Sequence, residues 1–142
     1  MKVEDRLAIQ DLYARISVAL DTGDEHGWVY SFTDDVALYA RAEVHGRTDL
    51  VDFFHSRMTD RQTDPTVNTQ HWTTNLVLSG EPPLVRAFCY LMKVGQPRGG
   101  GPLTIVTVAV YKDVLRKVGD EWLIAQRRVI QSMPSYDQLW QD

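Results

Sequence analysis

A single cysteine, Cys89, rules out an internal disulfide and fits a reducing compartment. Its neighbours Ala87, Phe88, Tyr90 and Leu91 mark it as an inert buried thiol rather than a nucleophile. No apolar run approaches the roughly 20 residues of a membrane span, and the opening MKVEDRLAIQD carries acids where a signal peptide is apolar. The expected location is therefore the cytoplasm, with no membrane partner. No cluster of lysine or arginine offsets the net charge of −4, which argues against a nucleic-acid partner. Internal repeats and low-complexity segments are also missing. The glycine-rich GQPRGGGP (95–102) does not lead a strand into a helix, so it reads as a flexible hairpin connection and not as a phosphate cradle. His26, His45 and His55 lie in polar surroundings, and none pairs with another histidine and an acid at metal-ligand spacing, so no metal site is expected.

What remains is one domain, residues 1–142, with an ordinary 44% hydrophobic and 24% charged composition. A chain of this length buries roughly two-thirds of its unfolded surface without disulfides or metals. Helical spacing of Val3, Leu7, Ala8, Leu12, Ile16, Ala19 and Leu20 predicts a helix over about 3–21, stopped by Gly23. Asp24 reads as the N-cap of a short second helix carrying Trp28, Val29 and Phe32, broken by Thr33-Asp34-Asp35. Val36 to Arg41 and Glu43 to Gly46 read as a strand pair, and Thr48 caps a third helix to about 59 with Leu50, Val51, Phe54 and Met58 on one face. Strands follow at 68–78, 84–94, 103–116 and 121–131, with Gly119-Asp120 as the last turn. Ser135 and Gln138 form a capping box for a terminal helix bearing Tyr136, Leu139 and Trp140, which needs a pocket mouth or a second subunit to pack on. Helices first and long strands last predict an α+β fold: a curved antiparallel sheet packed on three helices.

The stretch DPTVNTQHWTTNLVLSG, 64–80, is bounded by turn signals and rich in β-formers. Alternation puts His71, Thr73, Asn75 and Val77 on one face, with Trp72, Thr74, Leu76 and Leu78 on the other. Asp21 falls in the last turn of the first helix, where an acid opposes the helix dipole. The small residues Ala14, Ser17 and Val18 on its face leave open space beside it. Taken singly, His71 reads as a hydrogen-bonded core histidine and Asp21 as a helix-end acid pairing with Arg15.

Three segments, AIQDLYARISVALDTGD, TQHWTTNLVLSG and VYKDVLRKVGDEWLIAQRRV, together resemble the SnoaL-like branch of the nuclear transport factor two-like superfamily. The resemblance spans essentially the whole chain. It implies a cone-shaped sheet with a deep, mostly apolar pocket between sheet and helices. It is strongest toward enzymes of the scytalone dehydratase, dehydrochlorinase and bile-acid dehydratase type, which share an aspartate ending the first helix and a histidine on the first long strand. Asp21 and His71 match those positions. A second pocket histidine, present in scytalone dehydratase, has no counterpart in CYLMKVGQP (89–97). Arg127, five residues beyond Trp122, matches an arginine of the dehydrochlorinase, although Arg127 and Arg128 face opposite ways, only one can look inward, and a bulge would reverse the choice.

The chemistry implied is an Asp21–His71 dyad acting as general base, with Arg127, Tyr90 or Asn75 donating to a developing oxyanion. Ser17, Trp28, Tyr39, Asn75, Tyr90, Ile105 and Thr107 are the candidate substrate-binding residues, with Ile105, Thr107 and Ala109 sharing one wall suited to an apolar, polyketide-like molecule. Three functions follow. The first is a cofactor-independent, dehydratase-like lyase; the second is a cyclase or isomerase on a polyketide-like carbon acid; the third is a non-catalytic binding or assembly subunit. An exposed sheet face bearing Trp72 and Leu76 predicts a homodimer.

Overall fold

The structure is a computed structural model that describes residues 1–141. Helix α1 (Val3–Thr22) buries Ile9, Leu12, Tyr13, Ile16 and Ala19, the 3.6-residue stripe expected of it. Gly23 ends it in the left-handed conformation (φ 75°) and donates its N–H back to Leu20. Asp24 then caps α2 (Glu25–Val29) by accepting the Gly27 N–H at 3.0 Å.

The chain continues through β1 (Phe32–Tyr39), β2 (Glu43–His45), α3 (Gly46–Arg61), β3 (Thr66–Glu81), β4 (Leu84–Pro97), β5 (Thr104–Val118), β6 (Glu121–Ile130) and α4 (Tyr136–Trp140). Phe32 therefore opens the first strand rather than closing the second helix. The third helix begins before Thr48 because Asp49, not Thr48, reaches back to accept the His45 N–H at 3.3 Å. The six strands form one sheet in the order β2-β1-β6-β5-β4-β3. It is antiparallel except for β1 against β6, which is parallel, the chain passing from β1 to β6 through β2, α3 and three further strands rather than through a hairpin.

The α+β architecture is thus as the sequence predicts: a curved, unclosed sheet with α1, α2 and α3 on its concave side. The core lies between them, with Phe32, Val36, Leu50, Val85, Leu115 and Ile124 fully enclosed. Truncating any one of these to alanine removes buried methyl groups at a cost of about 2–5 kcal/mol. Asp5 anchors the start of α1 to the sheet by accepting from Trp122 Nε1 (2.9 Å) and Lys117 Nζ (2.7 Å).

The terminal helix α4 carries the expected capping box between Ser135 and Gln138. It packs on the chain's own sheet, away from the mouth of the cavity. Leu139 and Trp140 cover Phe88, Val110 and Ile130 on the convex face of the chain's own sheet, with the Trp140 ring edge-on to Phe88 at 5.3 Å. No helix is long and apolar enough to cross a membrane.

β-bulges decide which side chains reach the concave side. Asn68 (φ 52°) and Asn75 (φ 58°) sit at two register shifts in the β3–β4 pairing, one on either side of His71. Asparagine tolerates this left-handed backbone better than its β-branched neighbours would. Each extra residue reverses the alternation, so His71, Thr73, Leu76 and Leu78 turn inward while Trp72, Asn75 and Val77 turn outward.

Candidate functional site

The last turn of α1 lies against the edge strand β3, and there Asp21 meets His71. Asp21 Oδ1 is 2.5 Å from His71 Nδ1, and its Oδ2 accepts the His71 backbone N–H at 2.9 Å. One carboxylate therefore grips both the ring and the backbone of the histidine, 50 residues away in sequence. Arg61 Nη1 holds the carbonyl of Asp21 at 3.2 Å, tying the same turn to α3. Only 7% of the His71 side chain and 15% of the Asp21 side chain are exposed, enough shielding to keep the pair intact. With Nδ1 committed to Asp21, the ring's other nitrogen, Nε2, makes no hydrogen bond to any described residue.

His71 stands in the wall of a cavity of about 340 Å³ between the sheet and the helices, within the size range of small-molecule sites. Leu20, Trp28, Leu38, Phe53, Leu91 and Val129 supply its apolar surface. Trp28 is set in an aromatic cluster, edge-on to Phe32 at 4.9 Å and stacked near Phe53 at 6.1 Å. Thr107 closes one side, in a cross-strand row that runs His71–Lys93–Thr107 over β3, β4 and β5.

Arg127 also lines this cavity. Simple alternation from the inward Trp122 would bring Arg128 to the concave side. A register shift between the β5–β6 pairs at Val114 and Leu115 inserts Ala125, and this bulge is what delivers Arg127 instead. Arg128 goes to the other face, its guanidinium 4.0 Å over the Tyr39 ring. Arg127 is held by two parallel hydrogen bonds to Asp113, Nε to Oδ1 at 2.9 Å and Nη2 to Oδ2 at 2.7 Å. Its guanidinium lies 3.9 Å over the Tyr111 ring, and the Tyr13 hydroxyl donates to Asp113.

Burial alone would lower the pKa of Arg127, but the charge and hydrogen bonds of Asp113 outweigh that and leave it well above the usual value. Burial pushes the Tyr111 hydroxyl up to about 12, and burial followed by the charge of Asp113 raises Tyr13 well above the ordinary tyrosine value. Burial likewise pushes the Cys89 thiol up to about 12, which keeps it protonated and unreactive.

The structure thus brings His71, Arg127, Trp28 and Thr107 to one cavity, with Asp21 behind His71 and outside the cavity wall, and leaves the other candidates outside it. Ser17 lines a groove on the outer side of the dyad, between α1 and β3, together with Ala14, Val18 and Asp21. Tyr39 lies under Arg128 on the far face. Asn75 is turned outward by its own bulge. Tyr90 alternates to the convex face, where 38% of it is exposed. Ile105 is 61% exposed, because the β4–β5 register shifts between Lys93 and Val94 and so separates it from Thr107 and Ala109. Tyr90 and Asn75 therefore cannot donate into the cavity.

Sequence reasoning missed Asp113, Tyr13 and Tyr111, and three further cationic residues of the wall, Arg41, Arg57 and Lys93. The signals were present. Lys93 falls in the inward slot after Val85, Ala87, Cys89 and Leu91, and Arg57 lies one turn beyond Phe54 on the inward face of α3. Among the described residues no three His, Cys, Asp or Glu side chains converge as a cation cage.

Similar folds occur in proteins of distant sequence. A protein of unknown function with a cystatin-like fold from Nostoc punctiforme PCC 73102 is 26% identical, with a TM-score of 0.79 over 95% of this chain and 96% of its own. ActVI-ORFA from Streptomyces coelicolor is 19% identical, with a TM-score of 0.78 over 93% and 98%. A protein from Novosphingobium aromaticivorans, provisionally called a scytalone dehydratase, is 16% identical, with a TM-score of 0.77 over 92% and 86%. No curated protein matches the chain in sequence. At the level of sequence families, the SnoaL-like domain profile matches residues 1–128. With nine-tenths of its length matched by that profile and its curved sheet and helices framing a cavity, the chain belongs to the SnoaL-like domain family.

Proposed function

We propose that the protein is a cofactor-independent lyase of the dehydratase type, with His71 as its general base. The observation that carries this reading is the hydrogen bond between the His71 ring and Asp21 at the wall of a largely apolar cavity. A carboxylate on Nδ1 fixes the tautomer that leaves a lone pair on Nε2, and it stabilises the imidazolium that forms when that lone pair takes a proton. The negative end of α1, half a turn away, adds to that stabilisation.

In the proposed reaction Nε2 removes a proton from the carbon next to a carbonyl. The C–H electron pair moves to the carbonyl oxygen as an enolate, then returns to form a carbon–carbon double bond and expels hydroxide from the adjacent carbon. The imidazolium gives its proton to that hydroxide, water leaves, and His71 is neutral again. Arg127 has its Nε and Nη2 on Asp113, which leaves Nη1 to donate to the enolate oxygen from a rigid, preorganised position. A general base in place contributes ~10²–10⁴ in rate. The convex face, with Trp72, Val108 and Ile105 exposed, fits a homodimer contact, to be checked by mass in solution.

The test offers β-hydroxy ketones with apolar bodies and follows the absorbance of the unsaturated product. Turnover by the native chain, lost in His71→Ala and in Asp21→Asn with the circular dichroism spectrum unchanged, is the expected result. Undiminished turnover in either variant removes the dyad from the mechanism.

A further inference from the structure

Three cations of the cavity wall, buried Lys93, half-buried Arg57 and exposed Arg41, have no described carboxylate in contact with them. Arg41 from the loop after β1, Arg57 from α3 and Lys93 from β4 line the same cavity as His71. No ion pair or hydrogen bond joins any of them to a described carboxylate within contact distance, and no aspartate or glutamate contributes to the cavity wall. The chain has 19 acids to 15 lysines and arginines, so carboxylates were available in excess. Lys93 is only 7% exposed and stands directly across the strand pair from His71. Burial, and then the charge of Arg57, lowers the pKa of Lys93; burial, and then the charge of Arg41, lowers that of Arg57; Asp64, with Asp60 for Arg57, opposes these shifts without cancelling them. The three repel one another across a shared space, and Lys93 and Arg57 carry a desolvation cost that is offset only in part. A net-negative protein that gathers unpaired positive charge around one hollow has built a receptor for an anion.

We propose that Arg41, Arg57 and Lys93 form an anion subsite that binds a carboxylate carried by the substrate, with the substrate's apolar body against Leu20, Trp28, Leu91 and Val129. This names the substrate class for the elimination proposed at His71 and rests on that reading only for what the bound acid then undergoes. The planar guanidinium forks match a carboxylate in geometry, and the ammonium adds a point charge from the strand. The apolar wall distinguishes an organic acid from a free inorganic anion.

The probe is naphthalene-2-carboxylate, compared with its neutral isostere naphthalene-2-carboxamide and with inorganic phosphate, by calorimetry and by quenching of tryptophan fluorescence. Removing a charged hydrogen-bond partner costs roughly tenfold or more in affinity, so the carboxylate should bind at least that much tighter than the carboxamide. The preference should shrink as salt is added and should vanish in Arg57→Met and in Lys93→Met. Both variants should melt at or above the native temperature, because each removes a repelled charge rather than a bonded one; a structural ion pair would show the opposite shift. His71→Ala should retain the preference. Equal affinity for carboxylate and carboxamide, absence of saturable binding up to millimolar probe, tighter binding of phosphate than of the naphthoate, or a preference that survives both variants would each overturn the subsite. The two readings fail separately: carboxylate selectivity without turnover sinks the elimination and keeps the subsite, whereas turnover of neutral ketones without carboxylate selectivity does the reverse.

Discussion

The molecule holds two aspartates against two basic side chains on the concave side of one sheet, and the two pairs differ in what is left over. Asp113 is closed on all sides. It takes two hydrogen bonds from Arg127 and one from the Tyr13 hydroxyl, and its side chain is wholly inaccessible. Asp21 is open by comparison. It orients a ring whose far nitrogen bonds to nothing among the described residues and stands at a cavity. A buried charge pair whose carboxylate is fully bonded fixes geometry, and removing one partner strands the other. A pair with one atom unsatisfied at a hollow has a proton to exchange. Under the proposed function, the first aspartate positions and the second serves the chemistry through His71.

The widest separation between the two pairs should come from paired losses of rate and stability. His71→Ala should lower turnover by ~10²–10⁴ while leaving the urea midpoint nearly where it was. A midpoint that collapses with the activity would erase the contrast. Asp113→Ala should do the opposite, destabilising the fold by about 3–5 kcal/mol because Arg127 is left as an uncompensated buried charge. Replacing both partners, Asp113→Leu with Arg127→Met, should recover most of that stability in chemical denaturation. A double variant as unstable as the sum of the singles would mean that the network does more than neutralise itself. The smallest effect belongs to Tyr13→Phe, which removes one of three donors to Asp113 and should cost about 1 kcal/mol with turnover unchanged. A loss of activity there would mean that Tyr13, through Asp113, sets the position from which Arg127 donates.

Much of this was legible in the chain. The helical spacing of α1, the Gly23 stop and the Ser135–Gln138 capping box are local signals, and the structure shows each of them. The acid at the end of α1 and the histidine on β3 were readable because both match positions of the SnoaL-like pattern and the acid opposes its own helix dipole, and the structure places them in contact. What failed was face assignment. Strand alternation holds only until a bulge, and β3, β4–β5 and β5–β6 each contain at least one register shift. Nothing in TTNLVL announces that Asn75 takes a left-handed turn and sends itself outward while Leu76 goes in. Arg127 carries the same lesson in reverse, since the insertion at Ala125 brought it to the cavity against the parity counted from Trp122. Asp113 and Tyr13 escaped notice for a different reason: they are 100 residues apart, and nothing local marks either as a partner for the other.

The account stands on the state of one ring, and nitrogen-15 NMR of the His71 imidazole reads that state directly. The dyad predicts a proton on Nδ1, shifted far downfield by Asp21 and slow to exchange, with a bare Nε2, and both features lost in Asp21→Asn. A proton found on Nε2, or a spectrum indifferent to Asp21→Asn, would contradict it.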